Sequence, residues 1–162
     1  ENQDFMRIHL PAYDYLVYLR HHGYPSPLLD WTESPYVAAY FAFWHARYSD
    51  TVAVYAFIDT VDGTRSGWEG TPLIHVRGPH VRTHPRHFAQ KAWYTVAAEW
   101  SDAEKKHYFC SHERVFDKTD PKQEVLIKIT IPTADRRKAL RELNDYNINP
   151  FTLFQSEDSL VQ

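Results

Sequence analysis

From Tyr36 to Tyr48 nearly every residue is apolar or aromatic, with none of the polar side that marks a surface helix, and this predicts a helix buried all round. Ser34 and Pro35 supply its start: a hydroxyl that accepts from an orphan N–H, then the one residue with no donor to lose there. Ala38, Ala42 and Ala46 recur at every fourth position, predicting a small-residue ridge that another element can approach closely. Ahead of this helix, Gly23, Pro25 and Pro27 punctuate a turn, and Leu28-Leu29 reads as a short buried strand. Between that strand and the helix lie Asp30, Trp31, Thr32, Glu33 and Ser34, a polar corner at the helix end whose N–H groups favour anions.

The flanking pattern is mixed. Pro11 opens a helix carrying Tyr13, Leu16, Val17 and Leu19 and closing at Gly23. Thr51–Ile58 is β-branched and aromatic and too apolar for an edge, so a buried strand of the central sheet is expected. Residues 59–72 are a loop by their Asp, Gly and Pro content, Leu73–Val76 a shorter strand, and 78–87 a basic, turn-rich segment beside Arg77, Arg82 and Arg86. Trp93–Ala98 alternates loosely as a strand, while Asp102–Phe116 is compatible with helix or strand. Glu124–Ile131 alternates with β-branched residues and is closed by Pro132, a strand. Thr133 then caps a helix to about Tyr146, with Leu140 and Leu143 inward and Arg136, Arg137, Lys138 and Arg141 mostly solvated.

Composition narrows the classes. The 162 residues fit one domain with one proper core, and 15% aromatic content makes that core or a pocket aromatic-rich. A net charge of −3 lacks the basic footprint of a duplex nucleic-acid binder. Cys110 is the only cysteine, which rules out an intrachain disulfide and a Cys-rich zinc site. Neither a leader nor a run of eighteen apolar residues occurs, so a cytoplasmic chain without a membrane span is expected. P-loop, dinucleotide-fingerprint, zincin and nucleophile-elbow motifs are absent. His21 with His22, and His80, His84 and His87, have no Asp or Glu at ligand spacing, and no metal is expected.

The run His21–Phe43 closely resembles the central signature of the FRG domain, a bacterial and phage-associated family named for a Phe-Arg-Gly motif. Weaker pieces continue downstream: Arg86 and Gln90 resemble the family's Arg and Gln block, and Ile127–Pro132, a helix and Leu153-Phe154 resemble its C-terminal end. No Phe-Arg-Gly occurs in the sequence, so a single FRG-like domain over residues 1–162 would lack its first strand. Ser26-Pro27 stands where the family often has Thr-Arg, and Arg20 where it has Gln.

The resemblance implies an α+β, ADP-ribosyltransferase-like fold, with two small β-sheets forming a cleft for NAD and helices on the flanks. It further implies a cytoplasmic ADP-ribosyltransferase, a defence or toxin effector that spends NAD as substrate to modify a protein or nucleic-acid acceptor. The alternative is a module that binds a nucleotide or ADP-ribose without turnover. By similarity the catalytic positions are an Arg on the first strand, absent here, a hydroxyl matched by Thr32 or Ser34, and a Glu or Gln on a later strand, matched by Gln90. Cleaving the nicotinamide–ribose bond builds oxocarbenium-like charge, so acceptors near the ribose and an aromatic surface for the leaving ring are needed. Trp31 or Tyr36 would supply the surface, and Asp30 would orient a ribose hydroxyl or lock the His22 turn. Arg86 completes the substrate-binding set, and Gln90→Ala is expected to change activity with little effect on stability.

Overall fold

Helix α1 (Tyr13–His21) stops where its sequence requires. Gly23 takes φ +75°, its N–H reaches the Arg20 carbonyl at 3.2 Å, and the Tyr24 N–H reaches the Leu19 carbonyl at 3.0 Å, the paired closure that a left-handed glycine allows. The computed structural model describes residues 12–46, 48–67, 70–78, 86–118 and 120–154.

After α1 come β1 (Leu29–Thr32), α2 (Pro35–Trp44), β2 (Thr51–Thr60), β3 (Leu73–Arg77), α3 (Arg86–Gln90), β4 (Ala92–Ser101), β5 (Lys106–Phe109), α4 (His112–Phe116), β6 (Gln123–Pro132), α5 (Arg136–Asp145) and α6 (Pro150–Phe154). The fold is α+β with two small sheets. In the first, β4 lies between β1 and β3, and β5 also pairs with β4. β3 and β4 run antiparallel from Leu73↔Ala98 to Arg77↔Tyr94, and β4 and β5 from Ala98↔Phe109 to Ser101↔Lys106. β4 has neighbours on both sides, and Tyr94 through Ala98 are all buried. The second sheet is β2 with β6, and the bonds Thr133 N–H to Asp50 at 2.9 Å and Val61 N–H to Lys122 at 2.8 Å set them antiparallel.

The strand expected to be central is therefore not. β2 belongs to the two-stranded sheet, none of its residues is fully buried, and the central position falls to β4. β-branched composition reports fitness for a pleated surface; it does not report how many neighbours a strand will have. The segment left open at 102–116 resolves into β5 and α4.

By their contacts the residues form two compact units, each assembled from three stretches: Glu1–Asp30, Phe57–Thr83 and Tyr94–Leu126 in the first, Trp31–Ala56, His84–Trp93 and Ile127–Gln162 in the second. The core of the first unit is Ile74, Ala97 and Val115, with Phe57, Cys110 and Phe116 against it. Beside it the buried Glu124 carboxylate accepts from the Ile74 N–H at 2.5 Å and pairs with Arg65 at 3.2 Å and Lys118 at 3.5 Å. Burying a carboxylate is costly without such partners. Arg65 and Ser66 are thereby fastened, since the Gln123 amide also exchanges two 2.7 Å bonds with the Ser66 main chain.

The core of the second unit is Val37, Tyr40, Leu143 and Leu153, surrounded by Ala39, Phe41, Trp44, Leu140, Ile148 and Phe154, so α2, α5 and α6 close on one another. Full burial of each such side chain contributes about 1.5–3 kcal/mol. Four expectations change here. α2 ends at Trp44 and is buried on one side only: Val37, Tyr40 and Phe43 form the deep stripe, while Tyr36 is 59% exposed. Ala38 and Ala42 are only half-buried and Ala46 lies beyond the helix, so the close-packed alanine ridge is not formed. α5 begins at Arg136, not at a Thr133 cap, because Thr133 spends its hydroxyl on the Ser49 carbonyl and its N–H on that of Asp50. Arg136 is not solvated, since its guanidinium donates to the carbonyls of Phe43 at 2.6 Å and Trp44 at 3.0 Å and closes the C-terminal end of α2.

Candidate functional site

In the second unit the corner between β1 and α2 is held by two side chains and one main-chain bond. Ser34 caps α2 as expected, its Oγ accepting from the Val37 N–H at 3.3 Å. The Thr32 hydroxyl donates to the Gln90 carbonyl at 2.6 Å and accepts from the Ser34 N–H at 3.1 Å. The Glu33 N–H donates to the Lys91 carbonyl at 3.2 Å, a second tie between the corner and the turn after α3. The structure thus brings Thr32, Ser34 and Gln90 together, and does so through the main chain.

Gln90 does not lie on a strand. It ends α3, Lys91 follows with φ +46°, and β4 starts at Ala92. Nor is it a loose surface amide: its Nε2 donates to the Leu153 carbonyl at 3.0 Å, tying α3 to α6. Trp31 is half-buried at the end of β1. Tyr36 stands exposed at the start of α2, its ring 6.1 Å from that of Tyr146, a neighbour no sequence spacing announced. Arg86 begins α3, and its side chain lies outside the described residues, as do His80 and His84.

His22 and Asp30 belong to the first unit. The His22 ring stacks on Tyr18 at 4.0 Å and its Nδ1 lies 2.8 Å from the Tyr18 carbonyl. The Asp30 carboxylate is paired with Arg20 on α1 at 2.7 Å. That pair is partly exposed and is worth about 0–1 kcal/mol. Behind it sits a group that residue types alone did not single out. Tyr94, 1% exposed, receives the edge of the Tyr13 ring at 6.2 Å, and its hydroxyl lies 3.0 Å from His21 Nε2. Burial pushes the Tyr13 phenol up to about 12 and the Tyr94 phenol higher still, with the Asp30 carboxylate adding to the second shift.

Among the described residues, no three His, Cys, Asp or Glu side chains group as a metal ion would require, and no helix is long and apolar enough to cross a membrane.

The family model of the FRG domain matches residues 2–51, under a third of the 162 residues, and takes in α1, β1, the corner and α2. Arg86, Gln90 and the C-terminal strand and helices lie outside that match. No curated protein and no solved structure matches the chain.

Proposed function

With residues 2–51 matched by the FRG domain, we propose that the chain is an NAD-consuming ADP-ribosyltransferase of the effector or toxin type, acting in the cytoplasm on a macromolecular acceptor. The observation that carries this reading is that the match encloses the β1–α2 corner, where Thr32, Ser34 and the end of α3 are drawn together. In this reading Gln90 uses its amide oxygen toward a ribose hydroxyl while Nε2 stays on Leu153, and Trp31 or Tyr36 faces the departing nicotinamide. Thr32 acts as the positioning residue that fixes the carbonyl end of Gln90 and the start of α2. By the resemblance, His22 is assigned to substrate binding and Asp30 to catalysis. The test is release of nicotinamide from NAD by the purified chain, followed by transfer of labelled ADP-ribose to protein, RNA or DNA fractions. No release by folded protein rejects the enzyme.

One observation favours a second reading. The Thr32 hydroxyl and the Gln90 amide N–H both serve main-chain carbonyls, as they would in a module that binds a nucleotide or ADP-ribose without turnover. Saturable NAD binding with no nicotinamide release selects that module.

A further inference from the structure

β6 is bare where β2 is covered. Ile127, Lys128, Ile129 and Thr130 are exposed in succession, and neighbours in a strand point to opposite faces, so neither face of β6 is covered along this stretch. Ile127 and Ile129 are 44% and 47% exposed. β2 is mostly half-buried, and among the described residues β6 has no ladder partner besides β2. The main chain shows which of its groups are left over. The Thr133 N–H turns to the carbonyl of Asp50, just ahead of β2, and N–H groups alternate in direction along a strand. Those of Ile129 and Ile131 therefore face β2 as well, while the N–H and C=O groups of Lys128 and Thr130 point away from it. Pro132 takes the next outward position, where a missing N–H costs no ladder bond, as prolines do on edge strands. The whole stretch belongs to the second unit.

We propose that β6 is an interface for a second copy of this chain, pairing antiparallel with the partner's β6 about a two-fold axis at Ile129. A bare, β-branched edge is a template for another strand, and here the segment is its own complement. The register follows from the sequence. An axis at Lys128 would set two like charges directly opposite each other, which is destabilising. An axis at Thr130 would set Lys128 against a proline that has no N–H to give. A slip by one residue would turn the isoleucines of one copy toward the Lys and Thr side of the other. With the axis at Ile129, the two Ile129 side chains meet, Ile127 lies against the partner's Ile131, and Lys128 lies against the partner's Thr130. Lys128 and Thr130 then exchange their outward N–H and C=O groups with those of the partner's Thr130 and Lys128, so that every outward group of the pair is used. Lys128 is the only charged residue from Val125 to Thr133, and its ammonium sits over the ring of Tyr55 on β2 at 5.9 Å, drawn toward its own sheet. The axis is left apolar. The result is one four-stranded sheet, β2-β6-β6-β2, shared by two copies and independent of NAD cleavage.

The experiment is sedimentation velocity of the whole chain over a wide range of concentration, joined to oxidative cross-linking. The wild type is expected to pass from the mass of one chain to that of two as concentration rises. Thr130→Pro removes an N–H that points away from β2, and is expected to weaken association tenfold or more while leaving the urea transition in place. Ile129→Lys sets two ammonium groups at the axis and should weaken association at least as much. Tyr48→Ser, exposed elsewhere on the same unit, should associate as the wild type does. On oxidation Ile129→Cys is expected to give a disulfide-linked dimer, whereas Ile127→Cys, and the wild type with Cys110 alone, should not. The mass of one chain at every concentration, growth beyond two chains, association of Ile129→Lys equal to wild type, or cross-linking of Ile127→Cys as fast as Ile129→Cys overturns the assignment. Should Thr130→Pro not fold, the comparison of Ile129→Lys with wild type decides.

Discussion

The hydroxyl of Thr32 donates to the main-chain carbonyl of Gln90 across 2.6 Å, closing 58 residues of chain with one side-chain bond. The same oxygen accepts from the Ser34 N–H, so Thr32→Val removes a partner from a carbonyl and from an amide at once. A neutral hydrogen bond contributes about 1 kcal/mol, and an unsatisfied buried group costs about 1–3 kcal/mol. Thr32→Val is therefore expected to lower unfolding stability by about 1–3 kcal/mol in urea, with Thr32→Ser near wild type. Identical transitions for Val and wild type remove Thr32 from the corner.

Gln90 now carries a structural cost as well as a functional one. Its Nε2 bond to the Leu153 carbonyl means that Gln90→Ala should destabilise by about 1 kcal/mol, contrary to the small effect expected from an exposed amide. Gln90→Glu replaces the donor with a carboxylate facing that carbonyl and should be at least as destabilising at neutral pH. If the chain is the proposed transferase, turnover measured on the folded fraction of Gln90→Ala falls on the order of a hundredfold. Undiminished nicotinamide release by folded Gln90→Ala returns the residue to a purely architectural role.

Ser34→Ala should cost about 1 kcal/mol, the usual loss of a helix cap. The readout is the thermal or urea transition, and a shift within error means that the 3.3 Å bond to the Val37 N–H contributes nothing.

Tyr40 makes predictions at two pH values. Its hydroxyl is buried with no hydrogen-bond partner among the described residues, and burial pushes its phenol up to about 12. Tyr40→Phe should therefore be neutral or stabilising near pH 7. An acid whose pKa rises on folding contributes stability below its unfolded value near 10 and loses it as pH climbs toward 12. The wild type should weaken across that window, as Tyr13 and Tyr40 both demand, and Tyr40→Phe should weaken less. Parallel pH profiles for wild type and Tyr40→Phe, followed by circular dichroism, contradict the assignment.

Arg136→Met should destabilise by about 1–3 kcal/mol, since the Phe43 and Trp44 carbonyls lose charge-assisted partners. Arg137→Met, one residue on and exposed, should change stability by less than about 0.5 kcal/mol. Equal effects from the two variants would mean that charge, and not the closure of α2, is what matters.

What was legible in the chain was local. Ser34 and Pro35 announce the start of α2 because a cap and a donor-free first position act within one turn, and Gly23 announces the end of α1 for the same reason. The side of α2 that is buried was not legible, because it is set by Leu143 and Leu153, about a hundred residues away. The rank of the strands was hidden likewise: β2 looks more apolar than β4, yet β4 has neighbours on both sides. At the corner, the family resemblance pointed to Thr32 and Gln90, but the partner of each is a carbonyl, and a carbonyl belongs to every residue. For the same reason nothing in the basic run of α5 distinguished Arg136 from Arg137. Only register against the end of α2 separates them.

The distance along the chain between α2 and its partners also sets a timetable for synthesis. Arg136 follows Phe43 by 93 residues, and Leu143 and Leu153 come later still. At about 5–20 residues per second, the most apolar of the described helices is synthesised roughly 5–20 seconds before the residues that cover it. During that interval Val37, Tyr40 and Phe43 present an uncovered stripe to whatever surrounds the nascent chain, which makes α2 the segment a chaperone would hold. Slowing translation between α2 and α5 should lengthen that occupancy without altering the finished fold.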